Sequence, residues 1–300
     1  MKKKTYLFAL MAMALTLGSC SDNENGIGGE TSKYITVSTS IGNMTRVATD
    51  ANGGQTFEEG DEISVYAWTG APTVAPETRE RVVNNAINKL TNGSWVSTPQ
   101  MLWKNNRDKH YFIGVYPISA ISDLSAGEYT FDETKQVESD LLVAVNKDGL
   151  SYNVDEQQPV PLTFTHVMAK LVVNLTYKNQ WGGIPTVEKV VVGNAAKEAT
   201  INYLTKVVTP STTAKEDFSL PEITENTKYV SVIIPQEEVK QLTIVIDGKN
   251  FVYDNGTPFK LESGKITTVN LEVGRDEIKL GDVKITDWEN GSTFSGEALN

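Results

Sequence analysis

The sequence predicts an all-β protein built from antiparallel sandwiches. Three features carry this expectation. Segment after segment alternates apolar and polar residues with a period of two, glycine-containing turn dipeptides fall between those segments, and long helical periodicity is scarce. With 300 residues, 39% apolar and 22% charged, the chain has a globular composition and the length for two domains.

The N-terminus reads differently from the rest. Lys2, Lys3 and Lys4 form a positive head, Tyr6 through Leu17 is an apolar run too short to cross a bilayer, and Leu17-Gly18-Ser19-Cys20 follows directly. This order resembles a bacterial lipoprotein signal, in which the cysteine sulfur is diacylated, the chain is cut before it and the new amine is acylated. Residues 1–19 are thus expected to be a signal peptide and Cys20 the lipidation site. Acyl chains, at roughly 0.8 kcal/mol per buried methylene, hold a protein on a membrane without a transmembrane helix. Ser21 after the cysteine favours the outer membrane, by analogy with lipoprotein sorting. Residues 20–32, acidic and glycine-rich, have the composition of a flexible tether.

Strands follow. Ile35, Val37, Thr39 and Ile41 alternate with Thr36, Ser38 and Ser40, the pattern of a strand with one buried face. Ile63 to Trp68, Tyr111 to Tyr116, Leu141 to Val145, Leu171 to Tyr177, Tyr229 to Ile234, Leu242 to Ile246 and Ile266 to Val273 repeat it. Asn92-Gly93, Asp148-Gly149, Asp247-Gly248, Asn255-Gly256 and Asn290-Gly291 tolerate the positive φ of tight hairpins. Glu77 to Leu90 is expected to hold a short helix or a loop excursion, and Glu237 to Gln241 a single turn. A polar break at residues 155–159 separates an N-terminal sandwich, residues 33–156, from a C-terminal one, residues 157–300, which ends in a strand and a polar tail.

Composition removes several functions. The formal net charge is −11, and the five arginines, Arg46, Arg79, Arg81, Arg107 and Arg275, form no basic run in the sequence, so nucleic acid is not an expected partner. One cysteine leaves no intramolecular disulfide and no cysteine-based zinc site. With His110 and His166 alone there is no histidine pair at metal-ligand spacing. His166 reads as a hydrogen-bonded histidine at a sheet surface. Adjacent carboxylates, Glu58 with Glu59 and Glu237 with Glu238, would point to opposite faces of a strand and make poor glycosidase pairs. Asp50-Ala51-Asn52-Gly53-Gly54 begins like a calcium loop without its twelfth-position acid. No enzyme activity, metal or cofactor is therefore expected.

Several segments in order resemble one family. Phe57 to Tyr66, Asp140 to Ala144, Leu162 to Leu171, Val232 to Gln236 and Ile285 to Trp288 look like the fimbrillin-like, or Mfa-like, surface lipoproteins of Gram-negative anaerobes, which are related to type V pilins. The resemblance implies two transthyretin-like antiparallel β-sandwich domains in tandem and a fimbrial subunit or cell-adhesion protein at the cell surface or in the fimbrium. It also implies maturation: an arginine-specific or trypsin-like protease removes the N-terminal segment, and the vacated groove accepts a strand from another subunit.

The residues allow this. Arg46 is the first arginine after the Ile35–Ile41 segment, so cutting between Arg46 and Val47 would release both lipid and strand. Ile35, Val37, Thr39 and Ile41 are the candidate displaced strand, and burial at roughly 1.5 to 3 kcal/mol per large apolar side chain favours a filled groove over an empty one. Ile278, Leu280, Val283 and Ile285 supply alternation near the C-terminus as a candidate donor strand. The partners expected are other fimbrial subunits or a second copy through strand addition, a host or glycan ligand, and the outer membrane through the lipid. The alternative is a non-polymerising surface lipoprotein that binds glycan or host protein through exposed aromatics, with Trp68, Trp95, Trp103, Trp181 and Trp288 as candidates.

Because Cys20 is the single thiol, Cys20→Ala is expected to leave the protein unacylated with residues 1–19 uncut, as read by intact mass. Normal membrane retention of a variant lacking lipid mass would contradict the lipidation assignment.

Overall fold

The computed structural model describes residues 33–42, 57–153 and 158–288. Cys20 and the tether, Arg46 and Val47, the Asn290-Gly291 dipeptide and the polar tail lie outside the described residues. The strands in chain order are β1 (Val37–Ile41), β2 (Glu62–Thr69), β3 (Arg81–Thr91), β4 (Ser94–Thr98), β5 (His110–Tyr116), β6 (Gly127–Thr130), β7 (Leu142–Leu150), β8 (Val160–His166), β9 (Ala169–Tyr177) and β10 (Val187–Ala196). They continue as β11 (Glu198–Asn202), β12 (Val207–Pro210), β13 (Lys215–Leu220), β14 (Glu222–Thr224), β15 (Lys228–Ile233), β16 (Gln236–Ile246), β17 (Lys249–Leu261), β18 (Lys265–Val273) and β19 (Ile278–Asp287). Helix among the described residues is limited to the short 3₁₀ turns Thr78–Glu80 and Asn179–Trp181. The protein is all-β.

Four sheets result. A seven-stranded sheet runs β1-β8-β7-β5-β2-β3-β4, a five-stranded one β14-β15-β9-β18-β19, a four-stranded one β13-β10-β16-β17, and a three-stranded one β12-β11-β6. Pairing is antiparallel with two exceptions, β1 with β8 and β9 with β18. The last strand that the chain adds to the seven-stranded sheet is β8, which pairs with β7 and β1 beyond the polar break at 155–159. In the other direction β6, from the N-terminal half, pairs with β11.

The seven-stranded sheet is buried on both faces at its centre. Ile63, Val65 and Ala67 of β2, Phe112 of β5 and Leu142 and Ala144 of β7 enter one hydrophobic core with Val160, Leu162 and Phe164 of β8. Their neighbours Tyr66, Trp68, Tyr111, Ile113, Val115 and Val143 enter a second, larger core with β9, β10, β15, β16 and β18. Period-two geometry sends alternate side chains to opposite faces, so a strand buried on both sides must be apolar throughout, as Ile63 to Trp68 nearly is.

Two expected irregular segments are strands. Residues 81–91 form β3, not a helix or a loop, and only Thr78–Glu80 before it is helical. Residues 237–241 belong to β16 rather than to a turn. Both strands carry register shifts, which spread their apolar residues to a spacing of three. The Asn92-Gly93 and Asp247-Gly248 turns do close hairpins, with φ of 50° and 73°, and 52° and 67°, the left-handed pair that a type I′ turn requires. Asp148-Gly149 and Asn255-Gly256 instead lie inside β7 and β17.

Gly114 of β5 shows how closely the first core is filled, since a Cβ there would lie 2.6 Å from Phe164 Cζ and 3.1 Å from Leu162 Cδ1. Gly114→Ala is expected to cost about 1–3 kcal/mol by overpacking. The check is a lower urea midpoint with an unchanged denaturant slope.

Candidate functional site: two edge strands

Strand β1 forms as its alternation predicts. Ile35 and Val37 are buried, Thr39 and Ile41 half-buried, and Thr36, Ser38 and Ser40 exposed. Ile35 and Val37 therefore carry most of the burial, roughly 1.5 to 3 kcal/mol each. Val160 N–H donates to Thr36 O at 2.8 Å and Gly42 N–H to Phe164 O at 2.9 Å. In a parallel ladder this assigns the even-numbered residues to β8 and turns the backbone of Val37, Thr39 and Ile41 toward the free edge.

That edge faces the opposite edge of its own sheet. The indole Nε1–H of Trp95 on β4 donates to Thr39 Oγ1 at 3.0 Å, so the sheet curls until its first and last strands confront each other. Just before β1 the two sides join: Ile35 N–H donates to Met101 O at 2.9 Å, and Trp103 N–H to Lys33 O at 3.1 Å. Along β1 itself they part. A groove of about 720 Å³ lies there, lined by β1, Phe57, Leu90 and Trp95. Phe57 packs edge-on against Trp95 and Phe164, with centroids 5.3 and 5.2 Å away. Among the described residues no charged side chain lines this groove, which suits an extended, uncharged segment.

The candidate donor residues form β19, the edge of the five-stranded sheet. Val269 opposes Val283 and Leu271 opposes Leu280, so two residues of β18 span three of β19. This bulge at Gly281 and Asp282 keeps Ile278, Leu280, Val283 and Ile285 on one face despite their uneven spacing. Ile278 and Leu280 pack against the larger core, while Val283 and Ile285 are 37% and 39% exposed. Strand β19 is thus held by one ladder and little side-chain burial.

Its end is fixed more firmly. Trp288 is 1% exposed and stacks on His166 with ring centroids 4.0 Å apart and planes inclined by 9°. The Lys170 ammonium lies 5.2 Å from the centroid of the same indole, a cation–π contact. His166 is not at a sheet surface: it is 5% exposed, its Nδ1–H donates to Asp140 Oδ1 at 2.7 Å, and among the described residues its buried Nε2 has no hydrogen-bond partner. Because His166 belongs to β8 and Trp288 follows β19, this cluster ties the end of the last strand to the seven-stranded sheet. Asp140 and Lys170 lie in segments that carry the family resemblance, but local spacing assigns neither a role; the buried His166–Asp140 pair links residues 26 positions apart.

The remaining candidates are placed as follows. Trp68 is buried and its Nε1–H donates to Ala71 O at 3.0 Å. Trp181 is half-buried, bonded to Val273 O at 3.0 Å. Trp95 and Trp103 are half-buried beside the first core. His110 is fully buried; Lys104 N–H donates to its Nε2 at 3.1 Å and burial pushes its pKa down, so it serves as an internal acceptor. Among the described residues no group of three or more His, Cys, Asp or Glu is placed to hold a metal ion.

Comparisons with known proteins bear on this arrangement. A family model described as fimbrillin-like matches residues 45–288. Similar crystal structures include a protein proposed to act in cell adhesion from Bacteroides ovatus, at 18% identity over 85% of this chain and 98% of that chain, with a TM-score of 0.64. A second such protein, from Bacteroides uniformis, has 17% identity over 86% and 100%, with a TM-score of 0.60. A fimbrial protein from Bacteroides vulgatus has 12% identity over 84% and 99%, with a TM-score of 0.52. At these identities the likeness is one of fold. No curated protein matches the chain.

Trp288→Ala is expected to cost about 3–5 kcal/mol, as for other fully buried tryptophans. Amides of β19 should then exchange faster while those of β15 and β9 keep their relative protection, as read by hydrogen exchange with mass spectrometry. Uniform loss of protection across the five-stranded sheet would contradict an anchoring role.

Proposed function

This chain belongs to the fimbrillin-like family, of fimbrial structural and adhesion proteins rather than enzymes, and on that premise we propose that it is a surface-displayed fimbrial subunit assembled by strand exchange. It reaches the outer membrane as a lipoprotein acylated at Cys20, and cleavage between Arg46 and Val47 frees it from that anchor and from β1. A strand of another subunit, with β19 as the candidate donor, then occupies the vacated position. The tandem arrangement of two sandwiches belongs to the same reading.

The observation that carries it is the bonding of β1. Among the described residues it is an edge strand with one ladder, to β8, the segment from Ile35 to Ile41 buries Ile35 and Val37, and a groove runs along its other side. Such a strand can leave without opening the double-sided burial at the sheet centre, and the edge it exposes is a template for another strand. The family match begins at residue 45, after β1, which fits a strand the mature subunit does without. For the donor, β19 must give up its ladder and the Trp288 contact, so donation belongs to assembly and not to the resting monomer.

The test is limited digestion with an arginine-specific protease. Arg79 is the competing site, with a side chain 80% exposed in the Thr78–Glu80 turn, whereas the Arg81 guanidinium is buried against Ile121 O and Ser122 O. In an Arg79→Lys background, cleavage after Arg46 should convert a monomer into a self-associating form. A peptide of residues 33–45 should suppress that association by refilling the position in the same register. Arg46→Ala should block the conversion and leave the fold intact. A cleaved protein that stays monomeric at high concentration and ignores this peptide and one of residues 277–288 would overturn strand exchange.

A further inference from the structure

A second cleft, of about 770 Å³, opens on another part of the seven-stranded sheet. Its walls include Val74, Arg79, Glu80, Leu102, Trp103 and Lys104. This volume is in the range of small-molecule sites. In charge it differs from the molecule around it. The chain as a whole carries −11, yet the cleft lining has three cations, Arg79, Arg81 and Lys104, and one carboxylate, Glu80, with Glu77 paired to Arg79 beside it and Asp123 near enough to act on Arg81. Opposite charge in a concave site concentrates anions locally even on an acidic protein.

The cations are held differently. Arg81 is 8% exposed and hydrogen-bonds neutral oxygens only, those of Asn84, Ile121 and Ser122. Its charge is fixed behind the cleft, with Asp123 near it but, among the described residues, no carboxylate hydrogen-bonded to it. Arg79 pairs with Glu77 at 2.8 Å, but both side chains are mostly exposed, at 80% and 65%, and such a pair exchanges its partner readily. Lys104 donates to Thr69 Oγ1 at 3.3 Å, a neutral contact that leaves its other two N–H donors for a ligand.

The rest of the lining is suited to a ring that is apolar on its face and hydroxylated at its edge. Trp103 supplies an aromatic wall, and Leu102 and Val74, 49% and 63% exposed, extend the apolar surface at the mouth. The Glu80 carboxylate, one oxygen of which accepts Glu77 N–H at 3.0 Å, has acceptor capacity left for hydroxyl groups, whereas it would repel a polyanion. Trp103 is also well supported, packing edge-on against His110 and Phe112 with centroids 5.0 and 5.7 Å away.

From this combination we infer that the cleft is a binding site for a carboxylate-bearing saccharide, with the sugar against Trp103 and the carboxylate between Arg79 and Lys104. The site is complete in the uncleaved chain and requires no strand exchange. Uronic and sialic acids share the chemistry, so the probes distinguish the sources.

Isothermal titration of the uncleaved protein with trigalacturonate and with 3′-sialyllactose is the test. Fully methyl-esterified trigalacturonate and lactose serve as neutral counterparts, and hexaglutamate as an anionic peptide. At least one carboxylated sugar should bind, about tenfold or more tighter than its neutral counterpart, and more weakly as salt is raised. Arg79→Ala with Lys104→Ala, both exposed positions, should lower that affinity about tenfold or more with no change in thermal midpoint. Trp103→Phe should weaken it while the ring-packing core is kept. Which sugar binds identifies the source. The inference is overturned if neither sugar binds at millimolar concentration, if the neutral sugars bind equally well, if hexaglutamate competes as strongly as the sugars, or if the double variant binds unchanged.

Discussion

The burial of the seven-stranded sheet on both faces is the constraint on which the rest of the molecule depends. Strands β2, β5 and β7 send alternate side chains into two different cores, so none of them can shift register by one residue without exchanging the contents of both. That fixes the centre of the molecule and leaves adaptability to the margins. The sheet ends at β1 and β4, and the five-stranded sheet ends at β14 and β19. A change of partner that spares the cores must occur at such edges.

Edge position alone does not make a strand exchangeable; what matters is how much each edge buries. Strand β1 and the residues just before it contribute Val37 and Ile35 to the first core and leave their outward residues in solvent, so their loss uncovers a defined apolar slot. Strand β19 buries little along its length and is fixed at its end by Trp288. A receptor needs a slot worth filling, and a donor needs a ladder that can be given up. The two edges differ in the direction those roles require. That asymmetry is compatible with an acidic surface, because among the described residues the groove beside β1 has no charged lining and strand pairing there runs through backbone and apolar contacts.

Much of this was legible in the sequence where one face of a strand is wet. Strand β1 is legible from Ile35 to Ile41 because its polar residues face solvent, and the hairpin between β16 and β17 because Asp247-Gly248 takes the φ values its residue types favour. Strand β3 is not legible. Asn85, with φ of 55°, sits at a register shift, so the apolar residues fall at Val83, Ala86, Ile87 and Leu90, a spacing that imitates one face of a helix. Strand β16 is hidden in the same way, with shifts on both sides of Val239. The groove beside β1 and the stacking of His166 with Trp288 are products of sheet curvature and chain return, for which local periodicity carries no signal. Asp148-Gly149 misled for a related reason: Gly149 has the positive φ of a turn, 67°, but it occurs inside β7, where a Cβ would meet Tyr111 at 2.7 Å.

The central claim is that β1 can separate while the sheet beneath it stays folded. Native-state hydrogen exchange across a denaturant series measures this directly, because it resolves partial opening from global unfolding. The amides of Ser38, Ser40 and Gly42, which β1 directs toward β8, should exchange through an opening of lower free energy and smaller denaturant dependence than the amides of β2, β5 and β7. If those three amides exchange only with global unfolding, with the same free energy and slope as the sheet centre, β1 is an integral part of the core and the account is wrong.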